Sequence, residues 1–158
     1  MYFYSVPTTP TVAAPTPTLP AANVISVFSD SYTNVASDLN PNWGQATVVT
    51  QTPIAGNNTL KYTGLNYQGL QLNSSLNVSG MTFLHIDYYT ANSSVLNAYL
   101  ISTGPVEKAK ALSVPTTSGW NSIEIPLTFF SPVNLADIIQ FKFDGNGTIF
   151  LDNIYFHN

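Results

Sequence analysis

The chain has 158 residues, of which 44% are hydrophobic and only 8% charged, about a third of the charged share in ordinary globular proteins. It contains no arginine and no cysteine, and its four lysines and eight acidic residues give a formal net charge of −4. This composition excludes nucleic-acid binding, which needs clustered basic residues, and it excludes disulfides and thiolate metal sites. No apolar run approaches the roughly 20 residues of a membrane-spanning helix, so membrane insertion is not expected.

The start of the chain differs in composition from the rest. Residues 6–22 are rich in Pro, Thr and Ala, which favours a stiff, extended spacer that cannot join a sheet ladder. The sequence of residues 1–5, Met-Tyr-Phe-Tyr-Ser, is similar to the aromatic ending Ile-Tyr-Phe-His-Asn at 154–158. We therefore predict the tail of a preceding repeat at 1–5, a linker at 6–22 and one folded domain at 23–158, with further modules in the same protein.

The folded part reads as β-structure, because apolar and polar residues alternate with a period of two. For example, Ile86 is predicted to face inward, between His85 and Asp87 on the outer face. A polar loop is predicted at 33–43, strands at 24–29, 45–54, 59–63, 67–73, 82–90, 95–102, 107–113, 119–126, 138–144 and 148–156, and a helical turn at 127–130 or 134–137. About ten short strands in two sheets indicate an all-β fold, an antiparallel β-sandwich of jelly-roll type. An immunoglobulin-like sandwich is the alternative, although its Cys-Trp-Cys signature is absent.

The last predicted strand contains a single charged residue within an apolar run. Strict alternation divides the strand into two faces, Ile149, Leu151 and Asn153 on one and Phe150, Asp152 and Ile154 on the other. A lone carboxylate is costly to bury unless it has a partner, and a cation is one candidate.

Asp152 gains a second carboxylate as a neighbour if the terminal strands of the sandwich pair. Asp30 follows the first predicted strand, and that pairing would bring it close to Asp152. Calcium prefers about six to eight oxygen ligands from carboxylates, amides and carbonyls. We therefore predict a structural calcium ion at Asp30 and Asp152. The alternative is that Asp30 caps a turn while Asp152 accepts backbone N–H groups.

The sequence offers little for catalysis. Glycoside hydrolysis needs two carboxylates that flank the scissile bond. The acidic residues in the second half of the domain read as solvated charges, namely Glu107, Glu124, Asp137 and Asp144. His85 stands alone in its segment and His157 lies near the end of the sequence, and neither belongs to a catalytic or metal-binding motif. No enzymatic activity is therefore predicted.

Aromatic residues make up 13% of the chain, more than one core needs, and they favour ligand binding. Sugars present C–H faces that pack on exposed aromatic rings, while polar neighbours bond to their hydroxyl groups. Trp43 is the leading candidate for contact with a sugar ring because it follows Asn-Pro-Asn in a loop. The alternative is that Trp43 closes the end of the hydrophobic core. Trp120 shares the parity of outward-facing residues on its strand. The remaining candidates are Gln45, Lys61, Tyr67, Gln71 and Asp87.

Three segments carry a recognisable pattern: Val-Phe-Ser-Asp-Ser-Tyr at 27–32, Gly-Trp-Asn-Ser-Ile-Glu-Ile-Pro-Leu at 119–127 and Ile-Phe-Leu-Asp-Asn-Ile-Tyr-Phe at 149–156. Together they resemble jelly-roll carbohydrate-binding modules, especially those attached to polysaccharide hydrolases and surface glycan-binding proteins of marine Bacteroidetes. The resemblance implies a structural calcium involving Asp152 and Asp30, a sugar site on the concave sheet face or its loop rim, and no catalysis. Marine modules of this kind accompany laminarinases, so the β-1,3-glucan laminarin is the first expected ligand, before agar-type polymers and alginate.

We therefore expect a non-catalytic, monomeric carbohydrate-binding module, secreted by a bacterium or displayed on its surface, that binds a polysaccharide or oligosaccharide. Trp43 and Tyr67 are expected to stack on sugar rings. The alternative is a structural or adhesive sandwich without a sugar site, which predicts buried tryptophans. A small lyase or hydrolase, the third interpretation, requires two carboxylates within about 5–10 Å in an open groove.

Overall fold

The computed structural model describes residues 6–158, which form eleven β-strands and two short 3₁₀ helices. The strands are β1 (Val24–Phe28), β2 (Ser37–Asp38), β3 (Val48–Ile54), β4 (Asn57–Thr63), β5 (Tyr67–Leu76), β6 (Phe83–Tyr89), β7 (Leu96–Ser102), β8 (Val106–Ala111), β9 (Asn121–Pro126), β10 (Ile138–Gly145) and β11 (Ile149–His157). The 3₁₀ helices span Ala21–Asn23 and Leu127–Phe130. None of the described helices has the length and apolar character needed to cross a membrane.

The strands form two antiparallel sheets. The six-stranded sheet has the order β3-β4-β11-β6-β9, with β1 also paired to β11. The five-stranded sheet has the order β2-β5-β10-β7-β8. The predicted all-β antiparallel sandwich is therefore confirmed. The terminal strands β1 and β11 pair, as expected, and β11 lies inside its sheet with neighbours on both sides.

The hydrophobic core lies between the two sheets and includes aromatic contacts that join them. The ring centroids of Tyr62 on β4 and Phe143 on β10 are 5.9 Å apart, and those of Phe141 on β10 and Phe156 on β11 are 5.8 Å apart. All four side chains are almost completely buried. Burial of apolar area is the main favourable term in folding, at roughly 25 cal/mol per Å². The side chains buried between the two sheets therefore provide the main favourable contribution to folding.

The positions of the strands agree with the sequence pattern to within a few residues, with one omission. Strand β2 lies inside the segment predicted as a polar loop, and it was missed because two paired residues leave no alternation to detect. The predicted helical turn at 127–130 is a 3₁₀ helix, and the segment 134–137 forms a hydrogen-bonded turn in which the Asp137 N–H donates to the Asn134 carbonyl.

The last strand departs from strict alternation at a β-bulge. Asp152 pairs with Asp87 and Tyr155 with His85, so three steps along β11 match two steps along β6. Asn153, in the bulge, has a φ of 49°. The expected orientation of Ile154 was therefore wrong, because the extra residue turns Ile154 into the core and leaves Tyr155 on the outer face.

Residues 6–22, predicted as a linker, lie against the outer face of the six-stranded sheet. Side chains of the domain donate hydrogen bonds to their carbonyls: Tyr89 to Pro7 (2.7 Å), Trp120 to Val12 (2.9 Å), Asn153 to Pro15 (2.9 Å) and Tyr32 to Leu19 (2.8 Å). Ala14 is only 5% exposed. The segment forms no strand, as its proline content predicts, but it is held to the sheet. Residues 1–5, predicted as the tail of a repeat, lie outside the described residues.

Candidate functional site

A groove with a volume of about 520 Å³ lies on the outer face of the five-stranded sheet. Strand register places its side chains in rows that run across β5, β10, β7 and β8. The groove extends from the β5 side of the sheet to the turn between β7 and β8. Its lining residues are Trp43, Tyr67, Ile101, Pro105, Glu107, Gln140, Lys142 and Asp144.

The ring of Trp43 forms one wall of the groove by packing onto a glycine. Trp43 lies in the loop between β2 and β3, and a Cβ atom at Gly69 on β5 would come within 2.5 Å of its six-membered ring. Any other residue at position 69 would therefore push the indole away from the strand. The hydroxyl of Tyr67, two residues earlier on β5, donates a 2.9 Å hydrogen bond to the Trp43 carbonyl. Trp43 and Tyr67 are thus fixed side by side, and both rings are half-buried.

Gln45 holds the loop that carries Trp43. Its Oε1 accepts the Trp43 backbone N–H at 2.8 Å, and its Nε2 donates to the Pro41 carbonyl at 2.9 Å. The same amide donates to the buried Gln68 at 3.1 Å, which ties the loop to β5. Gln45, predicted as a ligand contact, is thus engaged in bracing the loop.

The floor of the groove is a network of polar and charged groups. The Nζ of Lys142 lies 3.2 Å from both carboxylate oxygens of Glu107 and 4.1 Å from the centroid of the Tyr99 ring. The Tyr99 hydroxyl donates to Asp144 at 2.8 Å, and the Asn97 amide donates to the other oxygen of that carboxylate at 2.9 Å. The hydrogen bond to Asp144 and partial burial raise the pKa of Tyr99 to about 12. The hydrogen bonds and the ion pair therefore hold these side chains in fixed positions.

Gln71 extends the polar floor towards β2. It is the cross-strand neighbour of Gln140, which lines the groove, and accepts a 2.6 Å hydrogen bond from its amide. Gln71 therefore lies on the same face as Trp43 and Tyr67, and three of the predicted contact residues are brought together.

The other predicted contact residues lie on the opposite sheet. Lys61, on β4, has its Nζ 5.7 Å from the ring centroid of Phe150. Asp87, on β6, is buried. Trp120 precedes β9 and packs beside Tyr89, with a distance of 5.7 Å between ring centroids. None of the three lines the groove. The prediction grouped them with the groove residues because alternation shows which way a residue faces along its own strand, but not which sheet that strand joins.

Sequence reasoning missed most of the groove floor. Gln140, Lys142 and Asp144 alternate on β10 with buried Phe141 and Phe143, so their parity did mark them as outward-facing. Only the pairing of β10 with β5 and β7 shows that they lie next to Tyr67 and Tyr99.

Asp152, one of the two predicted metal ligands, is a completely buried carboxylate. It accepts the Asn153 backbone N–H at 2.7 Å and contacts the side-chain amide of Asn57. Burial raises the pKa of Asp152 to about 7, the hydrogen bonds from Asn153 and Asn57 oppose this rise, and the negative charges of Asp87 and Asp30 add to it. Asp30 itself accepts the backbone N–H of Asn58 at 2.8 Å.

His85 does not stand alone on its strand, contrary to expectation. Its Nε2 lies 2.8 Å from Asp87, and its Nδ1 contacts Glu124 on β9. Burial lowers the pKa of His85, but hydrogen bonding and charge from Asp87 and Glu124 outweigh it, so the pKa is raised overall. This cluster lies on the six-stranded sheet, away from the groove.

Several solved structures that share this fold are carbohydrate-binding modules. The family 11 module from Clostridium thermocellum, in complex with a β-1,3-1,4-mixed-linked tetrasaccharide, is 18% identical, with 86% of this chain and 96% of that chain covered and a TM-score of 0.58. The family 30 module of a cellulosomal cellulase from the same organism is 14% identical over 85% and 97% of the two chains, with a TM-score of 0.59. A family 29 module variant complexed with mannohexaose is 15% identical over 84% and 89%, with a TM-score of 0.58. The sequence matches no protein-family profile and no curated protein.

Proposed function

We propose that this chain is a non-catalytic carbohydrate-binding module whose sugar site is the groove on the five-stranded sheet. The observation that carries the proposal is the placement of Trp43 against Gly69, beside Tyr67, at one end of a polar floor. Aromatic rings that are held open to a groove provide apolar faces for sugar rings. The amides, carboxylates and ammonium group of the floor provide donors and acceptors for hydroxyl groups.

The dimensions of the groove suit a chain of sugars. It crosses three strand spacings, from β5 to β8, or roughly 14 Å at about 4.8 Å per spacing. This distance accommodates a few consecutive rings of a polysaccharide. Because the contacts are few and partly solvated, we expect a dissociation constant between micromolar and millimolar, or about −8 to −4 kcal/mol.

The similar structures support a sugar ligand but differ in the sugars bound, a mixed-linked β-glucan tetrasaccharide in one case and mannohexaose in another. We propose laminarin as the ligand, on the resemblance of the sequence to marine modules. Mixed-linkage β-glucan, mannan, amorphous cellulose, agar and alginate are the comparison ligands.

Affinity electrophoresis on gels that contain each polysaccharide tests this proposal. The wild type is expected to be retarded by laminarin, and Trp43→Ala and Tyr67→Ala are expected to migrate as on a sugar-free gel. Lys61→Ala is the control, because Lys61 lies on the opposite sheet and should leave the retardation unchanged. Retardation that persists in Trp43→Ala would place the site elsewhere, and the absence of retardation on every gel would favour a structural or adhesive module.

Glycoside hydrolysis is a second candidate because two carboxylates, Glu107 and Asp144, line the same groove. Both are engaged as acceptors, Glu107 with Lys142 and Asp144 with Tyr99 and Asn97. A general acid must instead carry a proton that it can donate to the leaving group. We therefore expect no new reducing ends after prolonged incubation with any glycan that retards the protein, and their release would establish an enzyme.

We also propose a structural calcium ion at Asp30 and Asp152, where the first and last strands meet. The residues present fit a hard cation, since Asp152 is a buried carboxylate that no positively charged side chain among the described residues contacts. The side-chain amide of Asn57 faces Asp152 with its Nδ2, and a flip of this amide would present its oxygen to the ion. A polar cavity of about 210 Å³ is lined by Asn57 and Asn153, although by neither of the two carboxylates. A bound calcium ion would neutralise the charge and link β11 to the loop after β1.

The setting that we propose for the module is the outside of a bacterial cell, secreted or surface-attached, as a monomeric unit in a chain with further modules. Weak single sites of this kind gain strength when several act on one polysaccharide, since the second contact is intramolecular. The Pro-rich segment 6–22 lies along the six-stranded sheet. It would therefore set the direction in which a preceding module is attached to this domain.

A further inference from the structure

The outer face of the six-stranded sheet carries a compact cluster of two histidines and one glutamate. The cluster consists of His85 on β6, Glu124 on β9 and His157 on β11. Each residue directs one possible ligand atom toward the other two, and these three atoms lie within 4.8 Å of one another. Glu124 bridges the pair, with one carboxylate oxygen in contact with His85 Nδ1 and the other in contact with His157 Nε2. The two histidines are the only ones in the chain.

The second nitrogen of each imidazole already has an acceptor. His85 Nε2 lies 2.8 Å from a carboxylate oxygen of Asp87, and His157 Nδ1 lies 2.9 Å from the main-chain oxygen of Asn158. Both nitrogens of each imidazole therefore lie against an oxygen atom, whereas a neutral imidazole carries only one proton. In each neutral ring one lone pair thus faces an oxygen, whichever tautomer is present. A second proton on each ring, or a cation among the three ligand atoms, makes these contacts favourable.

From this arrangement we infer that His85, Glu124 and His157 bind a transition-metal ion such as Zn²⁺, at a site separate from both the groove and the calcium position. Zinc takes imidazole nitrogen and carboxylate oxygen at about 2.0–2.2 Å, and a tetrahedral set of such bonds separates the ligand atoms by about 3.4 Å. Side-chain rotations from the present separations, which are at most 4.8 Å, would bring the three ligand atoms to that spacing. Glu124, with 43% of its side chain exposed, leaves the fourth position open to water.

The surroundings of the cluster hold the ligands in orientation. The His85 ring stacks on Tyr155 at a centroid distance of 4.5 Å, and the His157 ring stacks on Phe83 at 5.4 Å. The carboxylate of Asp87 behind His85 forms the outer-shell contact that orients histidines in metal sites. Asp87 is itself fixed by Ser122 and by the Asn153 amide.

The bulge in β11 is what brings the second histidine to this face. Strict alternation from Leu151 would turn Tyr155 and His157 into the core. The extra residue at Asn153 reverses their orientation, so that both lie beside His85. The bulge and the cluster are therefore parts of one arrangement, and the ion would link β6, β9 and β11.

Calcium is a poor match for this cluster, because it prefers oxygen ligands and two of the three atoms are nitrogens. The alternative occupant is a pair of protons, with both histidines positively charged around Glu124. The two alternatives differ in whether zinc binds with a stoichiometry of one and uses both histidines.

Zinc titration of the full chain, produced without a polyhistidine tag and treated with a chelator, tests the inference. Calorimetry is expected to show one bound Zn²⁺ per chain, and a hundredfold excess over Kd is expected to raise Tm by roughly 5–10 °C. Glu124→Gln and His157→Gln are each expected to weaken binding at least about tenfold. Glu107→Gln makes the same chemical change on the opposite sheet and is expected to leave zinc affinity unchanged.

X-ray absorption on the zinc-loaded wild type keeps the test independent of whether the variants fold. The expected spectrum shows two imidazole nitrogens, which in this chain can come only from His85 and His157. A stoichiometry well below one, equal affinity in wild type and Glu124→Gln, or a spectrum with oxygen ligands alone would overturn the inference and leave the doubly protonated pair.

Discussion

The smallest residue of the groove sets the position of its largest side chain. Gly69 allows the Trp43 ring to pack against β5, and Tyr67 fixes the backbone of Trp43 from the same strand. A sugar-binding role for Trp43 was inferred from its loop, but the role of Gly69 follows only from the contact between two segments far apart in sequence. The pattern Tyr-x-Gly-x-Gln on β5 carries no hint of a tryptophan above it.

Gly69→Ala is expected to weaken polysaccharide binding about tenfold or more without unfolding the domain. The new methyl group would overlap the indole and displace it from the groove, although alanine fits the backbone because Gly69 does not have a positive φ. Affinity electrophoresis measures the loss. Gly80→Ala is the matched control, since a Cβ there meets open space. Equal retardation of wild type and Gly69→Ala would show that the position of Trp43 is not important for binding.

Asp152→Asn is expected to remove both a pH dependence and a calcium dependence of stability. The folded-state pKa of Asp152 is raised to about 7, above its usual 3.8, so in EDTA the free energy of unfolding falls as the pH rises between these values. Calcium is expected to restore stability above pH 7 by pairing with the ionised carboxylate. The asparagine variant lacks the ionisation, so thermal unfolding should show a flatter pH profile and no shift with calcium. A calcium shift that survives in the variant would place the ion elsewhere.

At the scale of elements, alternation predicted where most strands lie and which residues face the core. It failed where the chain departs from regular geometry. The bulge at Asn153 reverses the faces of β11, and β2 has only two residues. The division of strands between two sheets depends on long-range pairing, which is why Lys61 and Asp87 could not be separated from the groove residues by sequence.

The segment 6–22 is part of the folded domain, although most of it is neither strand nor helix. Trp120 holds the segment against the sheet, because its indole N–H donates a hydrogen bond to the Val12 carbonyl while its ring packs beside Tyr89. This contact also accounts for the tryptophan that sequence analysis placed on the outer surface: it faces outward from the sheet and is covered by the chain's own N-terminal part.

Trp120→Ala is expected to accelerate proteolysis within residues 6–22 several-fold while leaving polysaccharide binding intact. The substitution removes the hydrogen bond to Val12 and the aromatic contact, so the segment leaves the sheet more often. Limited proteolysis followed by mass spectrometry locates the cleavage sites. Trp43→Ala should have the reverse profile, with normal cleavage and lost binding. Unchanged cleavage in Trp120→Ala would mean that the segment is held by its other contacts.

At the scale of the whole molecule, the two outer faces of the sandwich carry different features. The five-stranded sheet bears the groove, and the six-stranded sheet bears the Pro-rich segment and the His85–Glu124–His157 cluster. A ligand on one face therefore leaves the contacts on the other unobstructed. The two tryptophans of the chain lie on opposite faces, which makes each a local reporter.

Nuclear magnetic resonance of the two indole N–H signals gives the most direct test of the central claim that sugars bind in the groove. Trp43→Phe and Trp120→Phe assign the signals, and laminarin oligosaccharides, or the glycan found by electrophoresis, are then titrated into the wild type. The Trp43 signal is expected to shift progressively and saturably while the Trp120 signal stays in place. A shift of Trp120 alone, or binding without a shift of Trp43, would contradict the account.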